Sequence, residues 1–199
     1  AGGTWLGIGA NGRFAALTNI RESHKPPSRR SRGELVSDFL SGNQSIGEYF
    51  ADVGRRSVEY AGFNLLLGTA DQLWHYNSQD VAPQLLDAGV YGLSNAGLDT
   101  PWPKLLKARA ALAEVLNDPQ PQALLALLSD RQTAPFSDLP DTGVGLATES
   151  LLSSVFISSP SYGTRASTAL IVNADGSRLM VEHSFGPLGG RLGEVRIQG

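Results

Sequence analysis

The chain has 199 residues, 41% of them hydrophobic, with 16 basic residues against 19 acidic ones for a net charge of -3. That content can bury the core of a single domain, and the charge excludes the polycationic surface with which a dedicated nucleic-acid binder neutralises phosphates. The absence of cysteine excludes disulfides, zinc–thiolate clusters and a thiol nucleophile within these residues.

No apolar run approaches the ~20 residues needed to span a bilayer, so a soluble, cytoplasmic protein is expected. The opening Ala1-Gly2-Gly3-Thr4-Trp5 shows no initiator Met and no signal-peptide pattern, and is read as a processed or truncated amino terminus. In chain order, Thr4 to Ile8 and Phe14 to Asn19 are apolar β-prone runs joined by Asn11-Gly12, a hairpin signal. Arg21 to Arg32 is a polar loop broken at Pro26-Pro27. Gly33 to Leu40 repeats apolar residues at helical spacing. Ser45 opens a second helical pattern through Ile46, Tyr49, Phe50, Val53 and Val58, with Glu48 completing a capping box.

Asn64 to Gly68 and Gln72 to Tyr76 predict another hairpin. Gln84 to Leu86 and Val90 to Ser94 predict a third, turning at Asp87-Ala88-Gly89. Lys104 to Asn117 and Gln120 to Leu128 are helical by composition and spacing, and Ala134 to Thr148 is a loop rich in Pro and Gly. The last third reads as strands at Leu152 to Ile157, Ser167 to Asn173, Arg178 to Phe185 and Glu194 to Ile197, with a turn at Asp175-Gly176. Segregated runs of strands and helices predict an α+β architecture with antiparallel sheets, not βαβ alternation.

Few side chains offer chemistry. Gly7-Ile8-Gly9-Ala10-Asn11-Gly12 lacks the spacing of a dinucleotide loop and precedes no helix, so it reads as a turn. His24, His75 and His183 are widely separated. Each is either a proton-transfer or iron ligand candidate or an ordinary satisfied histidine. The loop basic residues Arg21, Lys25, Arg29, Arg30 and Arg32 could hold an anion, with Arg32 favoured beside the helix start at Gly33, or could simply be solvated. Asn19 and Asn95 both end predicted strands, where an amide can donate to a developing oxyanion or merely close an Asx turn. Arg165 precedes an apolar strand and could set a fixed positive charge beside a substrate or join a surface ion pair. No metal site is expected.

Seven segments taken in order resemble the NRDE family, also called the transport and Golgi organisation protein 2 family. They are Gly2-Gly3-Thr4-Trp5-Leu6-Gly7, Ala16-Leu17-Thr18-Asn19-Ile20-Arg21, Ser31-Arg32-Gly33, Gly62-Phe63-Asn64-Leu65, Tyr91-Gly92-Leu93-Ser94-Asn95, Pro101-Trp102-Pro103-Lys104 and Tyr162-Gly163-Thr164-Arg165. The resemblance implies the amino-terminal-nucleophile hydrolase fold, a four-layer αββα sandwich with two mainly antiparallel sheets, as one domain over residues 1–199. It further implies a cysteine amidohydrolase acting on linear amides, with Asn19, Asn95 and Arg165 in supporting roles.

Family members begin Met-Cys and carry an Asn-Arg-Asp-Glu motif ahead of Gly-Gly-Thr-Trp. That segment, and with it the nucleophile, is expected to be lost from the chain; a cleaved second chain or a homologue without the nucleophile are the alternatives. The alternative that the family implies is non-catalytic binding and trafficking of haem, acyl-coenzyme A or lipid, with Arg32, Arg29 and Arg30 as candidates for an acidic headgroup. No cofactor is expected beyond haem as a candidate ligand.

Overall fold

A computed structural model describes residues 2–23 and 28–199. His24, Lys25 and Pro26-Pro27 lie outside the described residues. The chain divides into two compact units, the first comprising Ala1–Gly89 with Leu93–Leu98 and the second Val90–Gly92 with Asp99–Gly199.

The first unit is a five-stranded antiparallel sheet in the order β1 (Leu6–Ile8), β2 (Phe14–Asn19), β3 (Phe63–Gly68), β4 (Leu73–Asn77) and β5 (Gln84–Leu86), with helices α1 (Gly33–Ser41) and α2 (Ile46–Arg56). The first hairpin forms as expected, with Gly12 at φ +82°, a conformation that glycine adopts without a Cβ penalty. The capping box at α2 is present in both directions: Ser45 Oγ accepts from the Glu48 N–H, and Glu48 accepts from the Ser45 N–H.

Strand register sets the two faces of the sheet, because successive side chains alternate. Ala15, Leu17, Leu65, Leu67 and Tyr76 share one face and form a core with Leu35, Val36 and Phe39 of α1 and Tyr49, Phe50 and Val53 of α2. Gly3 and Gly33 approach so closely that a Cβ on Gly3 would sit 2.5 Å from the Gly33 carbonyl carbon. That contact brings Thr4 N–H to the Gly33 carbonyl at 3.2 Å and fixes where α1 starts.

In the second unit, α3 (Pro103–Val115) and α4 (Pro121–Leu127) each begin with proline at the first helical position, where its missing N–H costs nothing. A short helix α5 (Leu146–Leu151) follows, then a three-stranded antiparallel sheet of β6 (Ala166–Val172), β7 (Arg178–Phe185) and β8 (Arg191–Gln198). Helix α4 packs on this sheet, with Leu125 against Ala169 of β6 and Val181 of β7 in one small core.

Three expectations are corrected. Val90 to Ser94 is not a strand: β5 pairs with β4 instead, and the segment forms only an isolated bridge between Leu93 and Leu98. Leu152 to Ile157 is not a strand either, and Leu152 to Phe156 runs as turns and bends. There Ser153 Oγ donates to the Ser150 carbonyl and Ser154 Oγ to the Phe156 carbonyl, local bonds that compete with extended pairing. Val58 lies beyond α2 in a 3₁₀ turn and is 91% exposed.

Candidate functional site

The other face of the first sheet carries a line of polar side chains. Register places Thr18 opposite Asn64 and Asn64 opposite Asn77, with His75 two residues along β4 on the same face. Asn64 is fully buried and His75 nearly so. Burial without partners would cost each group about 1–3 kcal/mol, so each requires one.

The segment Leu93–Leu98 supplies most of them. Thr18 Oγ1 donates to the Ser94 carbonyl (3.1 Å). Asn64 Nδ2 reaches Thr18 Oγ1 (3.2 Å), the Ala96 carbonyl (3.3 Å) and the Ser94 carbonyl (3.5 Å). Asn77 Nδ2 donates to the Ala96 carbonyl at 3.2 Å. Asn64 Oδ1 meets His75 Nε2 at 3.2 Å, and burial pushes the His75 imidazole below its ordinary pKa, with Asp80 opposing. His75 is therefore neutral near pH 7 and donates through Nε2.

This network sets Asn95 against the end of β2. The Arg21 N–H donates to the Asn95 carbonyl (2.6 Å), and Asn95 Nδ2 donates to the Asn19 carbonyl (2.8 Å). Two of the expected site residues thus meet, but the Asn95 amide is committed to main chain. Asn19 Oδ1 is buried with no hydrogen-bond partner among the described residues. A buried acceptor in that state suits an incoming N–H or O–H donor.

The arginines differ in availability. Arg32 Nη1 donates to the Gly62 carbonyl (2.8 Å), and burial lowers its pKa. Arg30 pairs with Glu34 and lies 3.6 Å from Glu59, whereas Arg29 is exposed. A groove of about 270 Å³ runs past Ser28, Arg30, Ser31 and Arg32. In the second unit, Arg165 is exposed, and its carbonyl accepts from the Phe185 N–H (2.8 Å). His183 Nε2 is held by Glu194 at 3.0 Å.

Thr18, Asn64, Asn77 and Ser94 were not singled out from sequence as site residues. The available signal was Asn64, a polar residue inside the otherwise apolar strand Phe63–Gly68.

Among the described residues, two antiparallel sheets of five and three strands with five α-helices define an α+β protein, and no helix is long and apolar enough to cross a membrane. The sequence model of the Transport and Golgi organisation 2 family matches residues 1–187. Similar proteins include Transport and Golgi organization protein 2 homologs of Homo sapiens, 37% identical over 200 residues, and of Bos taurus, 36% identical over 204. Each match covers 92% of this chain and 72% of the relative. The Mus musculus homolog is 34% identical over 201 residues, covering 93% and 73% respectively. The chain belongs to this family, the one the ordered motifs resemble.

Proposed function

We propose that the protein recognises linear amides at the end of β2, as a domain of the amino-terminal-nucleophile hydrolase type. The observation that carries this reading is the unpartnered, buried Asn19 Oδ1, an acceptor suited to an amide or amine N–H. Asn19 then serves as the acceptor that positions nitrogen. Asn95 holds the main chain of Asn19. The hydrolytic step takes a cysteine thiol as nucleophile, and no cysteine is among these 199 residues. The four-layer αββα sandwich is part of the same proposal; helices on one face of each sheet support it.

The test is equilibrium binding of N-acyl amides to wild type, Asn19→Ala and Asn19→Asp, with amine release followed in parallel. Saturable binding that alanine weakens and aspartate retains is expected. Binding that is absent, or indifferent to Asn19→Ala, ends the reading.

A second reading, non-catalytic binding of acyl-coenzyme A or a lipid headgroup, draws on the groove beside Arg30 and Arg32 and on the transport role in the relatives' names. Titration with a long-chain acyl-coenzyme A tests it, and Arg29→Glu with Arg32→Glu should weaken binding. For haem, His75 and His183 would have to ligate through Nδ1, because their Nε2 atoms are committed to Asn64 and Glu194.

A further inference from the structure

Strand β8 forms one edge of the three-stranded sheet, and all eight of its residues are exposed. The edge is long, holds no proline, and carries Val195 and Ile197, each 55% exposed, on one face. An edge of this kind is a template for pairing with another strand. Arg178 and Gly199 exchange both backbone hydrogen bonds, at 2.6 and 3.1 Å. Antiparallel pairs alternate between bonded and non-bonded. The register Met180 to Ile197, Glu182 to Val195 and Ser184 to Gly193 therefore spends the backbone groups of Gly193, Val195 and Ile197 on β7. Glu194, Arg196 and Gln198 direct theirs away from the sheet.

We propose that β8 is the docking edge for a second copy of this chain, the two β8 strands pairing antiparallel about a two-fold axis through Val195. Charge selects both partner and register. Hydrogen bonds across the new pair require outward-facing residues to lie opposite one another, which admits two-fold axes through Glu194, Val195 or Arg196; axes nearer either end shorten the overlap. An axis through Glu194 sets that carboxylate opposite itself, and one through Arg196 does the same for the guanidinium. Like charges directly opposed are unfavourable.

The axis through Val195 places Glu194 of each copy opposite Arg196 of the other, twice. It also sets Val195 against Val195 in a non-bonded pair, where side chains are closest, and lays Ile197 over Gly193 of the other copy. Glu194 contacts His183 and Arg191 through Oε2, which leaves Oε1 for the second copy. Arg196 has no ion-pair partner among the described residues.

Sedimentation velocity over a concentration series tests the pairing. Wild type should dimerise with concentration. Arg196→Glu makes the edge acidic and Glu194→Arg makes it basic, so each alone should weaken dimerisation about tenfold or more. An equimolar mixture of the two should dimerise, because every opposed pair is then complementary. Circular dichroism checks that the variants fold. Since the chain has no cysteine, Val195→Cys should give a disulfide-linked dimer on mild oxidation faster than Val172→Cys on the opposite edge strand. A wild type that is monomeric throughout overturns the proposal, even if it captures an extended peptide along β8. So does a dimer indifferent to the charge reversals, a mixture that stays monomeric, or equal crosslinking at positions 195 and 172.

Discussion

Replacing Asn64 with alanine removes a side chain that hydrogen-bonds both the Leu93–Leu98 segment and His75. The Ser94 carbonyl keeps Thr18 Oγ1, and the Ala96 carbonyl keeps Asn77 Nδ2. The lasting loss therefore falls on His75 Nε2, whose partner is Asn64 Oδ1 at 3.2 Å. Net loss of the amide's hydrogen bonds is worth about 1 kcal/mol, and a buried donor left without a partner adds about 1–3 kcal/mol. The expected destabilisation is thus about 2–4 kcal/mol.

Urea unfolding followed by tryptophan fluorescence measures this loss, and hydrogen exchange at the amides of residues 94–97 shows whether it is local. A second measurement isolates the pair: in a His75→Phe background the cost of Asn64→Ala should shrink by about 1 kcal/mol, the coupling typical of residues in one hydrogen-bond network. A destabilisation below about 0.5 kcal/mol, or no coupling to His75, would refute the assignment of Asn64 as the organiser of this face.

Three further outcomes are expected. Ser45→Ala should cost about 1 kcal/mol of stability in urea unfolding, because both directions of the capping box at α2 are formed. Gly3→Ala should destabilise strongly and displace the start of α1, since its Cβ would meet backbone atoms of Gly33 that cannot rotate away; thermal unfolding beside the control Gly47→Ala, where the space is open, measures it. Stability should also fall with acid through His75. Its folded pKa is lowered, so the unfolded chain binds the extra proton first. This contribution is fully present above the unfolded value of about 6.5 and is lost as pH falls from there toward the folded pKa. Urea midpoints from about pH 7.5 to about pH 5 should drop less steeply in His75→Gln than in wild type.

Local chemistry made much of the fold legible. Asn11-Gly12, the Ser45 and Glu48 pair, the prolines opening α3 and α4, and the short β-prone runs of β2, β3, β6 and β7 all encode structure within a few residues of one another. Where an apolar run had to choose its partner, local pattern was insufficient. Val90 to Ser94 has a strand's composition, but the carbonyls of Ser94 and Ala96 are satisfied by side chains on β2, β3 and β4 instead of by a neighbouring strand.

The same division holds for the site. Sequence alone determined the absence of a thiol, the ordered motifs and the family resemblance they carry, and the candidacy of Asn19 and Asn95. Only the tertiary structure decided that these two residues meet, that the Asn95 amide is committed to the Asn19 carbonyl, and that Asn19 Oδ1 is left buried without a partner among the described residues. The physical reason is that hydrogen-bond satisfaction is a property of neighbours in space, and Asn95 reaches the end of β2 from 76 residues away in the chain.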